Sequence, residues 1–283
     1  MNIVSGIADL RELLDDHRSA GRSVGFVPTM GYLHDGHQSL MRAAATDTDV
    51  VVASIFVNPL QFAPDEDLEA YPRDLATDSE KCRQAGVDVV FAPSVEEMYP
   101  DPVWTTVHVG VVSEALEGQA RPTHFDGVAT VVAKLFSIVG ACRAYFGQKD
   151  FQQLAIVTRM ASDLSMPVEV IGCPTVREPD GLAMSSRNVY LTDNERRQAP
   201  AVNQALRLGV ELIEGGQTDR AAVEAAMRAH IEAQPSSRID YVVAVDAGSL
   251  RPTDTLSGSV RVLAAVRFGA ARLIDNMGAT VPD

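Results

Sequence analysis

The chain has 283 residues, 46% of them hydrophobic and 22% charged, with 20 Gly and 15 Pro. This length fits one large or two ordinary globular domains, and the composition excludes a disordered, collagen-like or low-complexity chain. The 24 basic residues against 38 acidic ones set a formal net charge of −14, which argues against nucleic acid or an anionic membrane as partner. Any anionic ligand must then be met by a local cluster of positive groups.

Only three of the basic residues are lysines, Lys81, Lys134 and Lys149. Cys82, Cys142 and Cys173 stand far apart without CxxC spacing, so they are expected as small buried hydrophobes rather than a disulfide framework or zinc ribbon. No basic region followed by an apolar stretch opens the chain, and no run approaches the ~20 apolar residues of a spanning helix. The expectation is a cytoplasmic protein without a membrane partner.

In chain order, 24–30 reads as a buried strand, 38–45 as a helix and 50–57 as a second strand ending in Asn58-Pro59. An acidic loop leads to Tyr71-Pro72-Arg73 and a helix reaching Ala85-Gly86, and 87–91 is a third strand. Residues 103–109 read as extended, 128–139 as helical, 141–146 as extended, 154–162 as helical and 168–176 as extended. Strands alternating with helices predict βαβ units and a parallel sheet. Beyond Val176 the order changes: one long helix over 193–213 capped by Thr192, another over 219–233, then strands at 241–245, 260–268 and 271–274. The fold expected is therefore α/β, a Rossmann-like parallel sheet domain over 1–176 and a smaller C-terminal α+β domain over 177–283.

The stretch Pro28-Thr29-Met30-Gly31-Tyr32-Leu33-His34-Asp35-Gly36-His37 closes a strand and opens a helix. A helix N-terminus offers unpaired N–H groups and a positive dipole end, and a histidine there can donate to phosphate oxygens. Either histidine is equally compatible with a surface or packing role, because a short motif is weak evidence alone. Phe146-Gly147-Gln148-Lys149-Asp150 follows a strand and precedes a helix, placing an ammonium where open α/β folds bind ligands. Taken alone, Lys149 is also compatible with a solvated surface position. Met184-Ser185-Ser186-Arg187-Asn188 joins hydroxyl donors to a guanidinium; it can grip a polyphosphate, or serve as a Ser-rich linker. Gln61 and Gln153 are neutral amides able to donate and accept toward a hydroxylated small molecule, although a lone Gln is usually surface filler.

These segments, with Phe56-Val57-Asn58-Pro59-Leu60-Gln61-Phe62, Arg121-Pro122-Thr123-His124-Phe125-Asp126-Gly127-Val128 and Arg177-Glu178-Pro179-Asp180-Gly181-Leu182-Ala183, resemble in order and across most of the chain the pantothenate synthetases of the HxGH nucleotidylyltransferase group. The resemblance implies ATP-dependent condensation of pantoate with β-alanine to pantothenate, AMP and pyrophosphate through a pantoyl-adenylate. It implies ATP contacts at Met30, Gly31, Tyr32, Leu33, His34, Asp35, Gly36, His37, Gly147, Gln148, Lys149, Asp150, Val176, Met184, Ser185, Ser186 and Arg187. Among these, Val176 would meet adenine through its backbone and Asp150 the ribose. His37, His34, Lys149 and Arg187 are the implied catalytic group, with His37 as general acid. Gln61 and Gln153 would hold pantoate, and Gln61 also β-alanine. Mg²⁺ would be held mainly by the ATP phosphates, the C-terminal domain would act as a lid, and a homodimer is expected. The chain departs from the family pattern at Asp35, Gln148, Phe151 and Asp126; the last reverses a charge, so its loop is not expected to hold an anion. Arg121 and His124 are expected as structural pins at least as much as ligand contacts. Another HxGH transferase, a nucleotide-binding regulator without catalysis and a histidine-ligated metal hydrolase are the competing readings.

Overall fold

The computed structural model describes residues 1–62, 68–69 and 71–282. Part of the acidic loop expected after Asn58-Pro59, at 63–67 and 70, lies outside the described residues. The chain divides into two compact units, one of residues 1–147 and 153–174, the other of residues 148–152 and 175–283.

The first unit runs β1 (Asn2–Val4), α1 (Ile7–Ser19), β2 (Val24–Thr29), α2 (Asp35–Asp47), β3 (Val50–Ile55), α3 (Leu75–Gln84), β4 (Val89–Phe91), α4 (Val95–Met98), α5 (Glu117–Ala120), α6 (His124–Val139), β5 (Cys142–Gly147), α7 (Phe151–Asp163) and β6 (Val168–Cys173). Its six strands form one parallel sheet in the order β1-β4-β3-β2-β5-β6. The central strands β2, β3 and β4 are short, mostly buried apolar runs because helices cover both faces. Phe26 and Phe146 meet Phe136 of α6 edge to face, while Val27, Val51 and Val90 pack with Met41 of α2 and Cys82 of α3. From β2 the chain winds outward through β3 and β4, and β5 lies on the other side of β2. Such a reversal opens a crevice at the carboxyl ends of the strands. The β2–β5 ladder pairs only Gly25 with Arg143 and Phe26 with Ala144; Pro28 just beyond has no N–H to extend it.

In the second unit, α8 (Asp193–Gln198), α9 (Ala201–Glu214) and α10 (Arg220–Glu232) precede an antiparallel sheet of β7 (Ser237–Asp246), β8 (Ser259–Phe268) and β9 (Ala271–Thr280) in the order β7-β8-β9. Val202, Leu206, Met227 and Ile231 of the helices share a buried core with Val262 and Phe268 of the sheet. The expected α/β class, a Rossmann-like parallel sheet followed by a smaller α+β part, is the observed one.

Several expected elements change. The helix over 193–213 is two helices, because Pro200 cannot donate back along the chain and its ring crowds the preceding turn. Residues 103–109 form no strand; Val107 instead donates its N–H to the Thr130 hydroxyl at 2.9 Å. The strand over 168–176 stops at Cys173, before Pro174. At the N-terminus, β1 and α1 emerge where no element was expected: β1 is only three residues long, and α1 buries just Leu10 and Leu14.

Candidate active site

The first unit presents the histidine turn at the end of β2. Thr29, buried, donates its hydroxyl to the Ser54 carbonyl at 2.7 Å and accepts the Gly31 N–H at 3.2 Å. Gly31 then takes φ +85° and Tyr32 φ +49°, a left-handed pair that glycine enters freely and tyrosine only when held. Asp78 of α3 holds it. Its buried carboxylate accepts the N–H of Tyr32 and that of Leu33, each at 2.8 Å. A Cβ on Gly31 would stand 2.9 Å from that carboxylate. Lys81, one turn along α3, donates to the Leu33 carbonyl.

His34 is the N-cap of α2 and His37 lies in its first turn, so the helix begins earlier than the expected 38–45. The His34 Nδ1 accepts the Gly36 N–H at 3.1 Å, and the His37 Nδ1 accepts the His34 N–H at 3.3 Å. The ring centroids are 4.1 Å apart. A main-chain N–H can only donate, so both Nδ1 atoms are acceptors and each neutral ring carries its proton on Nε2. Two imidazole donors are thereby fixed at the positive end of a 13-residue helix, an arrangement suited to phosphate oxygens.

Gln61 sits in the short turn Pro59–Gln61 after β3 and is buried. Its Oε1 accepts from Asn58 Nδ2 at 3.2 Å, and its Nε2 lies 2.7 Å from the Met30 sulfur. Asn58, itself buried, also donates to the Gly127 carbonyl at 3.1 Å and accepts from the Tyr99 hydroxyl at 3.0 Å. Burial pushes the Tyr99 phenol up to about 12, so it remains a donor at neutral pH. Any side chain at Gly127 would collide with the Leu60 carbonyl and the Gln61 backbone. His124 donates from Nδ1 to the Gln61 carbonyl at 3.0 Å, and Arg121 donates to the same carbonyl at 3.4 Å and to His124 Nε2 at 3.1 Å. These two residues pin the main chain of Gln61. Asp126 pairs with His108 at 2.8 Å. Gln153 is half-buried in the first turn of α7, which follows β5 at the same edge of the sheet.

The second unit carries Lys149 and Arg187. Residues 176–184 fold back as a hairpin in which Met184 donates to the Val176 carbonyl at 3.0 Å and Gly181 turns the chain at φ +93°. Arg196 donates to both Asp180 and Glu178, and its hydrogen bond holds the Asp180 carboxyl below the usual carboxylate range. Ser185 caps the turn Ser186–Tyr190 by accepting the Arg187 N–H at 3.2 Å, leaving Ser186 and Arg187 exposed. Lys149, its side chain one-fifth exposed, stands 3.7 Å from Asp150 and lines a small cavity with Ser185, Asn188 and Asp275. Asp275 is buried and takes both Arg177 terminal nitrogens, at 2.6 and 3.0 Å. The separation of Lys149 from Asp150 is too long for a hydrogen bond, which leaves the ammonium a point cation suited to phosphate.

Within the first unit the structure gathers His34, His37, Met30 and Gln61 around the ends of β2 and β3; within the second it gathers Lys149, Ser185 and the hairpin carrying Val176 and Met184. Sequence reasoning passed over Asp78, Asn58 and Tyr99. A signal for Asp78 exists: it shares the buried stripe of α3 with Cys82, a position four residues on where an apolar side chain is usual.

A model of the family described as pantoate-beta-alanine ligase matches residues 2–278. Pantothenate synthetase of Sinorhizobium medicae is 54% identical over 98% of this chain and 95% of the relative. That of Moorella thermoacetica is 53% identical over the whole of both chains. The crystal structure of pantothenate synthetase from Thermus thermophilus superposes with TM-score 0.92 at 49% identity, covering all of both chains. The pantoate-beta-alanine ligase of Francisella tularensis, complexed with beta-gamma ATP and beta-alanine, superposes with TM-score 0.78 at 33% identity over 98% of this chain and 97% of that one. The chain belongs to the pantoate-β-alanine ligase family and is a ligase that forms an amide bond between pantoate and β-alanine.

Proposed function

We propose that the chain condenses pantoate with β-alanine at the expense of ATP, releasing AMP and pyrophosphate through a pantoyl-adenylate. The observation that carries this reading is the pair of mutually braced imidazoles, His34 and His37, at the helix end beside the strand-order reversal. A pantoate carboxylate oxygen attacks the α-phosphorus of ATP and pyrophosphate departs. This step needs alignment and neutralisation of charge more than a protein nucleophile. His34 and His37 donate to phosphate oxygens, with His37 as general acid, and Lys149, Ser185, Ser186 and Arg187 neutralise the triphosphate. The β-alanine amine then attacks the activated carbonyl carbon and AMP leaves.

Under the same proposal the main chain of 30–37 and 147–150, together with Met184, lies along the nucleotide. Val176 meets adenine and Asp150 the ribose, Gln61 and Gln153 bind pantoate, and Gln61 also takes β-alanine. The ATP and β-alanine of the Francisella tularensis complex support this substrate set. Lys149 lines its cavity with Ser185, Asn188 and Asp275, and the Asp275 carboxylate is already taken by Arg177, a setting that suits phosphate oxygens more than direct metal ligation, so Mg²⁺ would arrive on the phosphates and supply further charge neutralisation there. The first unit would form the nucleotide- and pantoate-binding part and the second the lid; the second unit also takes 148–152 and 175–176 out of the domain expected over 1–176. A cytoplasmic homodimer completes the proposal. Among the described residues no helix is long and apolar enough to cross a membrane.

The test is release of AMP and pyrophosphate by the purified protein. It should require pantoate, and pantothenate should form once β-alanine is added. Steady ATP hydrolysis without pantoate, or no amide with both acids present, would refute the reading.

A further inference from the structure

The main chain of the Lys149 turn is gripped from β9. Asn276, buried, donates from Nδ2 to the Gln148 carbonyl at 2.9 Å and to the Lys149 carbonyl at 2.8 Å. Its Oδ1 accepts from Arg261 of β8, 2.7 Å from Nε and closer still to Nη2. The guanidinium has only donors and the two carbonyls only acceptors, so the amide can sit one way round and no other. Arg261 is fixed in turn: its guanidinium stacks on the Phe151 ring at 3.9 Å from the centroid. Burial lowers its pKa to about 10, against the pull of Asp275, which leaves it charged at neutral pH. The neighbouring Asp275 accepts the Asn276 N–H at 2.8 Å while it holds Arg177. A lysine stem has four rotatable carbons and finds one place only if its main chain is immobilised.

We propose that Asn276 is a positioning residue for the ligase reaction: it sets the place of the Lys149 ammonium by holding the carbonyls of Gln148 and Lys149, with Arg261 orienting the amide. The inference rests on the reading in which Lys149 meets the ATP phosphates. Asn276 touches no substrate. Its contribution passes through Lys149, so removing it should cost turnover only while the lysine is there to be misplaced.

A double-mutant cycle tests this on the full-length protein. Lys149→Ala, Asn276→Ala and the double variant are compared by pantoate-dependent AMP release, with melting temperature followed in parallel. Asn276→Ala should lower kcat/KM for ATP about 10- to 100-fold, the effect of a displacement near 1 Å, and leave the KM for β-alanine unchanged. In the Lys149→Ala background the same change should lower activity less than about twofold, although any loss of melting temperature persists. Equal losses in both backgrounds would assign Asn276 to stability alone and overturn the proposal. A Lys149→Ala protein with normal turnover would remove the reading beneath it, a distinct result. Should Asn276→Ala not fold, Arg261→Lys is compared in the two backgrounds instead; it keeps the charge but loses the two-nitrogen grip on the Asn276 Oδ1 and the stacking on Phe151, and the same criterion applies.

Discussion

The His37 Nδ1 accepts the His34 N–H at 3.3 Å, so the second histidine of the motif braces the main chain of the first. Each ring is thereby part of the helix cap through Nδ1, and under the proposed reading its Nε2 would donate to the ligand. Replacing His37 with Ala removes one such hydrogen bond, a stability cost of about 0.5–1.5 kcal/mol. The loss of a proton donor should lower adenylation about 10²- to 10⁴-fold. Pyrophosphate release alongside thermal unfolding separates the two effects, and turnover near normal would take His37 out of the chemistry.

Asp78 should matter as much as a residue that touches substrate. Asp78→Ala strands the N–H groups of Tyr32 and Leu33, each costing about 1–3 kcal/mol if left without a partner, and it releases the left-handed turn at Gly31-Tyr32. The midpoint of urea unfolding should fall and activity with it. Asp78→Asn, which keeps an acceptor oxygen but turns an NH₂ toward one donor, should lie between the two.

Gln61→Ala should raise the KM for pantoate about 10-fold, as expected for one or two lost hydrogen bonds, while the KM for ATP moves little. The buried Asn58 amide loses a partner in the same variant, so a modest fall in melting temperature is expected. A parallel rise in both KM values would reassign Gln61 to holding its turn.

The cysteines set a limit at alkaline pH. Cys82 and Cys173 are buried as expected, whereas Cys142 is only half-buried; desolvation pushes the thiols of Cys82 and Cys142 up to about 12 and also raises that of Cys173. In the unfolded chain they ionise near 9, so ionisation favours the unfolded state as pH rises from about 9 to 12. The stability they protect is complete below 9 and declines through that window. Cys142→Ala should flatten the decline in unfolding free energy measured between pH 8 and 10. Native protein at pH 8 should resist iodoacetamide, and protein in urea should take up three equivalents.

The parallel sheet was legible because β2, β3 and β4 are largely apolar runs of the kind a doubly covered sheet buries. The histidine turn, Lys149 and Ser185-Ser186-Arg187 stood out as motifs, since each is a local run of residues adjacent in the chain, and His34, His37 and Ser185 cap the elements that follow them. The supports were not. Asp78 lies 46 residues from Tyr32 and 45 from Leu33, and Asn276 lies 127 from Lys149; no local period links them, and an Asn inside a strand reads as nothing in particular. The break at Pro200 could have been read, but the helical periodicity on both sides of it outweighed one proline.

Residues 148–152 belong to the second unit although the chain before and after them belongs to the first. A gene cut after codon 174 would therefore encode Lys149 without Asn276 or Arg261: two carbonyls would lose their donor, and Phe151 the guanidinium on its face. The smallest fragment that keeps the lysine as it stands here runs through β9, and the protein cannot be divided by a single scission into one piece for each unit.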